Sequence, residues 1–566
     1  MNISLKLSEE DRTYQAVTAG AGDTIEDLYR RRREQVPRTV IAARRNNKLV
    51  ALNTPLADGD RVVFLDVRSQ AARLIYQHSL VLVYLKAIEE VIGRVRVEVL
   101  HSLGRGLYTE IGERGALLSL SEEQLAAITR RMQEIIAADH PFRRMRVDRE
   151  EALRILRETD QKEKLHVLET RPGMQYMDFY DLDGFKNFFY GLMVPSTGYL
   201  YSFAVRRYRR GVILGHPQQQ SPDAAPRVRD DRKLYDAFLE TQRWHEAQGI
   251  HYVADLNEKV AAGESREIIQ LSEALQEKRI VEIAAAIMRQ KKRIILIAGP
   301  SSSGKTTFAR KLCIQLQVEG VRPLYLGTDD YFHERAETPL DEKGERNYED
   351  LAAVDVELFN RQMNALLRGE EVDLPTFDFL TGRKVFGRRL TRITARQPIV
   401  IEGIHALNDE LTPHIHDREK YRIYISPLTP LNIDEHNCIS VTDARMVRRL
   451  VRDHKYRGHA AARTIHDWPR VRAGEDKNIF PYNSRADAFF NSSHLYELGV
   501  LKKYAVPLLE AITREQEEYG EAVRMLRFLS FFRTIEHDEL IPNNSLLREF
   551  IGGSVFLDED AAGTQR

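Results

Sequence analysis

The stretch "RIILIAGPSSSGKTTFARKL", residues 293–312, decides the fold. An apolar run, "RIILIA", leads into a loop that fits G-x-x-x-x-G-K-[ST] from Gly299 to Thr306. The loop opens a segment with Phe308, Leu312 and Leu316 on one helical face and Gly320 past its end. Strand, glycine loop and helix, in that order, are the context in which this motif holds phosphate. Gly304 lets the backbone N–H groups turn inward, and the start of the helix adds partial positive charge. The candidate ATP-binding residues are therefore Gly299, Ser301, Ser302, Ser303, Gly304, Lys305, Thr306 and Thr307. Lys305 is placed to reach the β- and γ-phosphates, and the Thr306 hydroxyl to ligate Mg²⁺.

Outward from that stretch the strand, loop, helix alternation continues. "PLYLG", "PIVIEG", "YRIYI" and "ADAFF" are short runs, apolar throughout, separated by helical stretches. Such runs suit a parallel sheet covered on both faces, so the expected class is α/β with helices flanking a parallel sheet. "PIVIEG" ends on Glu402, the second candidate metal-side residue, where many ATPases carry Asp or Asp-Glu. No N-K-x-D base-reading motif of a guanine switch appears in this region, and "NNKLV" at 46–50 lacks the Asp.

Two further stretches point to phosphoryl transfer. "LGTDDYF" (326–332) ends the next strand on the side that faces the ligand crevice, where Asp329 can take a proton from an attacking hydroxyl. Asp330 reads as a cap of the following turn. In "DARMVRRLVRDHKYRG" (443–458), Arg445, Arg449 and Arg452 lie near one helical face and Arg457 precedes a terminating glycine. Arginine forks suit the spread charge of a transferring phosphoryl group, and the segment reads as a mobile lid that clamps phosphates.

The whole chain narrows the class further. At 566 residues it is too long for one core, and 43% hydrophobic residues suffice for several packed units. Lys+Arg and Asp+Glu balance at 84 each, so no global field recruits nucleic acid or membrane. Cys313 and Cys438 match no metal or redox spacing, which fits a reducing compartment. "MNISLKLSEEDR" lacks a signal-peptide core and "LVLVYL" (80–85) is too short to span a bilayer, so a cytoplasmic protein without a membrane partner is expected.

Four regions are expected. Residues 1–66 read as a small mixed domain: "NISLKL" alternates as a strand, "TIEDLYRRRREQV" is a helix capped by Asp23 or Thr24, and "KLVALN" and "DRVVFLD" are strands. Arg30, Arg31, Arg32 and Arg33 form a charge run suited to a solvated helix face or to RNA. Residues 67–264 read as α+β, with Leu125, Ile128, Met132 and Ile135 on one helix face and a Pro-rich loop at 216–231. Residues 265–510 hold a helical lead-in and the phosphate-binding unit, and 511–566 a helical extension that Gly552 and Gly553 terminate.

Taken in order, "GPSSSGKTT", "TDDYF", "NYEDLAAVD", "LPTFDFLTGRK", "IEGIHAL" and "RRLVRDHKYRG" resemble the uridine kinase/phosphoribulokinase family over about 290–510. That resemblance implies Asp329 as acidic base, Phe332 beside the nucleobase and Glu349 on the ribose hydroxyls. It also implies Phe377 and Asp378 in the acceptor site and Arg449, Arg452 and Arg457 as lid arginines. The chain departs from uridine kinases after "TFDF". The segment "LTGRK" is one residue shorter, with Gly382 near the place of a histidine, which bears on pyrimidine recognition rather than on kinase chemistry.

Residues 1–66 resemble the TGS domain, a β-grasp module. Residues 67–264, through "IYQHSLVLVYLKA", "VDREEALRIL", "VPSTGYL" and "HYVADLN", resemble the editing-type domain of threonyl-tRNA synthetase. His78 stands where editing domains begin a His-x-x-x-His pair, but its partner position is Leu82, so the hydrolytic site is expected to be lost. The resemblance implies an ATP- and Mg²⁺-dependent kinase acting on the 5′-hydroxyl of a nucleoside or on a related small alcohol or sugar. The appended modules suggest another role, a nucleotide-regulated RNA- or ribosome-binding protein that contacts RNA through residues 1–264. Homo-oligomerisation is compatible with either.

Overall fold

The computed structural model describes residues 1–171, 173–340, 344, 346–378, 381–428 and 431–557. Leu380, in the segment that departs from uridine kinases, and 558–566 of the extension lie outside the described residues.

The phosphate-binding loop is mounted on a five-stranded sheet. Its strands are β1 (Ile294–Ala298), β2 (Leu324–Gly327), β3 (Ile399–Glu402), β4 (Lys420–Ser426) and β5 (Ala488–Asn491), in the spatial order β2-β3-β1-β4-β5. Every neighbouring pair is parallel. All residues of β1 and β4 are buried, as runs without polar alternation require when helices cover both faces. Helix α1 (Lys305–Val318) leaves the loop and buries Phe308, Leu312 and Leu316 against one face, together with Ile283 and Ile287 of the lead-in helix Ser265–Arg289. Helix α2 (Val356–Leu367) covers the other face through Phe359, Met363 and Leu366. The carboxyl ends of β1, β2 and β3 converge on one crevice.

Between β4 and β5 the chain makes a long excursion. Residues 431–438 insert into the middle region, where the Val99 N–H donates to Glu435 O at 2.7 Å and Asn432 Nδ2 to Leu100 O at 2.8 Å. Lys164, fully buried, ion-pairs with Glu435 and lies 2.7 Å from His436 Nδ1. From this anchor helix α3 (Val441–Arg457) returns to the crevice. Its hydrophobic side is buried with helices α5 (Glu497–Glu510) and α6 (Tyr519–Leu529). Helix α4 (Ala461–Asn478) follows α3 and lies along the loop.

The N-terminal sheet spans Asn2–Lys6 to Arg61–Leu65 and is mixed, with one parallel pair and the helix Ile25–Arg31 across it in a β-grasp arrangement. Of the two candidate caps it is Thr24 that accepts from the Asp27 N–H, closing a capping box. The middle region holds a four-strand path with a short fifth strand, and a separate three-stranded sheet, around the long helix Gln70–Val91. No helix among the described residues is long and apolar enough to cross a membrane.

Candidate active site

The loop's shape follows from two glycines and one serine. Gly304 has φ +84° and Ser302 φ +59°, left-handed positions that turn successive N–H groups to the same side. A Cβ at Gly299 would stand 2.0 Å from Ile425 O, so a side chain there would push the loop off β4. The Lys305 ammonium folds back over the loop and donates to Gly299 O at 3.0 Å and Pro300 O at 3.2 Å.

At the end of β3, Glu402 Oε1 accepts from Thr306 Oγ1 at 3.1 Å and from the Tyr325 hydroxyl at 3.3 Å. Burial pushes the Glu402 carboxyl up to about 7, with Asp329 and Glu549 adding negative charge and Lys305 opposing them. Asp329 is solvent-exposed just past the carboxyl end of β2, yet surrounded by protein. That surrounding raises its pKa; Lys305 pulls it down, while Glu349 and Asp330 push it up. Glu349 is raised by burial and by Glu475, and is countered by Arg449, Lys305 and Arg457. The sequence-derived residues Lys305, Thr306, Asp329, Glu349, Glu402, Arg449 and Arg457 thus form one electrostatic cluster at the crevice.

Asp330 does not cap its own turn. Its carboxylate accepts from Arg389 at 2.7 Å and from the Phe377 N–H at 3.4 Å, tying the hairpin of Thr376–Asp378 and Arg383–Val385 to the end of β2. Phe332 and Phe377 are each 5% exposed and meet edge to face at 5.7 Å, with Tyr348 5.4 Å from Phe332. Asp378 accepts from the Thr381 N–H at 3.3 Å. Gly382, in the turn, has φ +70°.

The helix at 443–458, read from the sequence as a phosphate-clamping lid, is packed into the fold along much of its length. Helical spacing puts Arg445, Arg449 and Arg452 on one stripe, but α3 runs outward from the core, so its two ends meet different surroundings. Arg445 is fully buried, ion-paired with Glu475 and bonded to Ser301 O at 3.0 Å. Arg449 donates to Ser301 Oγ at 2.8 Å. Asp453, 1% exposed, pairs with Arg449 at 3.1 Å, Arg452 at 2.8 Å and Arg457 at 3.4 Å. Arg452 lowers the Arg457 pKa to about 10, which leaves Arg457 charged at neutral pH. The helix is a packed strut whose last turns alone face the crevice.

Sequence reading missed four residues. Glu475, 1% exposed, accepts from the Ser301 N–H at 2.9 Å and from Arg472 at 2.9 Å, fastening α4 to the loop. Tyr325, Asp453 and Glu549 are the others; only the helical spacing of Asp453 from Arg449 and Arg457 offered a signal. In the middle region His78 is buried against Phe189 and Tyr190, beside a cavity of about 390 Å³, and Leu82 is fully buried.

Comparison with known proteins bears on this arrangement. Residues 294–497 match the phosphoribulokinase/uridine kinase family. The uridine kinase of Staphylococcus aureus (strain JH9) is 30% identical over 195 residues, which cover 34% of this chain and 84% of that enzyme. The chain belongs to the phosphoribulokinase/uridine kinase family. As a member of that family it is a P-loop kinase, a phosphotransferase. A solved structure of a possible uridine kinase from Bacillus stearothermophilus covers 38% of this family member and 97% of its own chain, at 21% identity and a TM-score of 0.26. The N-terminal region is similar to the threonine–tRNA ligase of Rubrobacter xylanophilus, 31% identical over 187 residues, or 33% of this chain and 28% of the ligase's length.

Proposed function

We propose that this kinase transfers the γ-phosphoryl group of ATP to the 5′-hydroxyl of a ribonucleoside, with Mg²⁺. The observation that carries the reading is the juxtaposition of Asp329 and Glu349 with Lys305 at one crevice. A pure nucleotide switch has no use for two carboxylates on the acceptor side of the loop.

Each residue then has a task. The inward N–H groups of 302–307 and the Lys305 ammonium hold the phosphate chain. Lys305 leaves the Gly299 and Pro300 carbonyls to do so. Asp329 accepts the proton of the acceptor hydroxyl, and its raised pKa makes it a stronger base than a solvated carboxylate. Arg449, Arg452 and Arg457 stabilise charge on the transferring group, gathered toward it by Asp453. Glu349 accepts two hydrogen bonds from the ribose diol, and Phe332, Phe377 and Asp378 line the acceptor side. The work is positioning and electrostatics.

The hydroxyl of Thr306 and the carboxylate of Glu402 are hard oxygen donors 3.1 Å apart, which fits Mg²⁺. No cluster of three or more His, Cys, Asp or Glu among the described residues makes a protein-only cage, as suits an ion that keeps waters and phosphate oxygens. When bound, Mg²⁺ supplies charge that neutralises the β- and γ-phosphates.

Similarity to enzymes named uridine kinase supports the nucleoside class. The test is ADP release across ribonucleosides, their 2′-deoxy forms and small sugar alcohols. Release stimulated by a ribonucleoside supports the reading. Release stimulated only by a non-nucleoside alcohol replaces it.

A further inference from the structure

The last described segment of the chain touches the phosphate-binding loop itself. Glu549, in the short helix Arg548–Ile551, places Oε2 2.8 Å from Thr307 Oγ1 and 3.3 Å from the Thr307 N. Thr307 directly follows the Mg²⁺-side Thr306 and is fully buried. Its N–H is one of the unpaired donors of the first turn of α1, where anions are favoured. In this structure that donor and the adjacent hydroxyl serve a carboxylate of the same chain.

The contact belongs to a docked segment. Leu546, fully buried, packs with Phe308, Leu312, Ile297 and Ile425, and its Cδ2 lies 3.2 Å from the point where a Cβ at Gly304 would stand. Phe550, fully buried, lies beneath the Arg448 guanidinium at 5.1 Å. Ser545 donates to Glu273 of the lead-in helix at 2.5 Å. Glu549 itself is only half-buried, at the crevice edge of an otherwise apolar seat.

We propose that the C-terminal segment is a latch on the donor site, in which the Glu549 carboxylate stands in for a nucleotide phosphate at Thr307 and ATP must displace it to bind fully. This rests on the reading of the loop as the ATP site. The reason is competition: the Thr307 N–H and hydroxyl have one acceptor to serve, and a carboxylate and a phosphate oxygen cannot both occupy the place. Two anions side by side in that crevice, already lined by Glu402 and Asp329, would repel. ATP therefore binds against the latch, and its apparent affinity is lowered by the fraction of molecules in which the segment is docked.

The test is ATP binding by titration calorimetry to the full chain, wild type against Glu549→Gln and Glu549→Ala, with Lys305→Ala as the loop control. A hydrogen bond to a charged acceptor corresponds to roughly a tenfold effect or more, so both Glu549 variants should bind ATP about tenfold more tightly than wild type. Hydrogen exchange on wild type gives a second reading without substitution: ATP should speed exchange of the amides of 545–551. Equal ATP affinity in wild type and both variants, with no change in exchange, overturns the latch and leaves the ATP site standing. No ATP binding by any of the proteins overturns the latch and the ATP site together.

Discussion

Arg449 donates to the Ser301 hydroxyl at 2.8 Å, so the arginine helix touches the phosphate-binding loop directly. The clamp is built in. Arg445 and Glu475 weld the base of that contact, and Asp453 collects the arginines at its open end. The outcome of substituting each arginine should therefore depend on its height along α3.

Arg445→Ala removes the fully buried one of Glu475's two arginine partners, leaving Arg472 and the Ser301 N–H, and should destabilise the fold by up to about 3–5 kcal/mol, measured by chemical denaturation. Arg457→Ala, at a side chain 50% exposed, should change stability by less than about 0.5 kcal/mol yet lower kcat by tenfold or more. Equal stability losses in the two variants would contradict the strut.

Lys305→Ala should abolish phosphoryl transfer and leave the melting temperature of the ligand-free protein nearly unchanged. The ammonium bonds only loop carbonyls that face the crevice. Full activity in a folded variant would remove the loop from the reaction.

Asp329→Asn should lower kcat by about 10²–10⁴-fold with little change in ATP affinity, the pattern of a lost general base. A fall in ATP binding with turnover per bound ATP preserved would reassign Asp329 to the metal or to structure.

Ribonucleosides should be preferred over their 2′-deoxy forms, because under the proposed function the half-buried Glu349 carboxylate loses a hydrogen bond when one hydroxyl is missing. Glu349→Gln should narrow that preference more than it weakens ATP binding. Steady-state kinetics on uridine, cytidine and adenosine with their deoxy forms checks it, and an unchanged preference in the variant would take Glu349 off the ribose.

Buried histidines, His78 and His216 among them, make acid stability a separate check. His78 and His216 are 5% and 4% exposed, and burial lowers both rings to about 4 from the ordinary 6.5. The unfolded chain then binds protons that the folded chain refuses. Their contribution is intact above about pH 6.5 and is lost as pH falls toward 4. The denaturation midpoint should drop across that window, less steeply in His78→Gln. A flat midpoint would contradict neutral buried rings.

Much of the kinase fold is legible in the chain because its strands are apolar throughout and its loop carries Gly299, Gly304 and Lys305 at fixed spacing. Local signals of that kind survive without knowledge of tertiary contacts. The spacing of Arg445, Arg449 and Arg452 gives a helix face, but not which end of the helix is buried. Glu475 meets Ser301 across 174 residues and Glu549 meets Thr307 across 242, pairings that no local pattern encodes. Asp330 misled for the same reason: an Asp after a strand usually caps, and its arginine partner lies 59 residues away.

The central claim is that this loop and crevice move a phosphoryl group onto a small acceptor. The most direct measurement is ADP formation with and without ribonucleosides, in wild type and in Lys305→Ala. ADP formation that rises with at least one ribonucleoside, yields its 5′-monophosphate and vanishes in Lys305→Ala is the predicted result. ADP formation indifferent to every acceptor, or surviving in a folded Lys305→Ala protein, would contradict it.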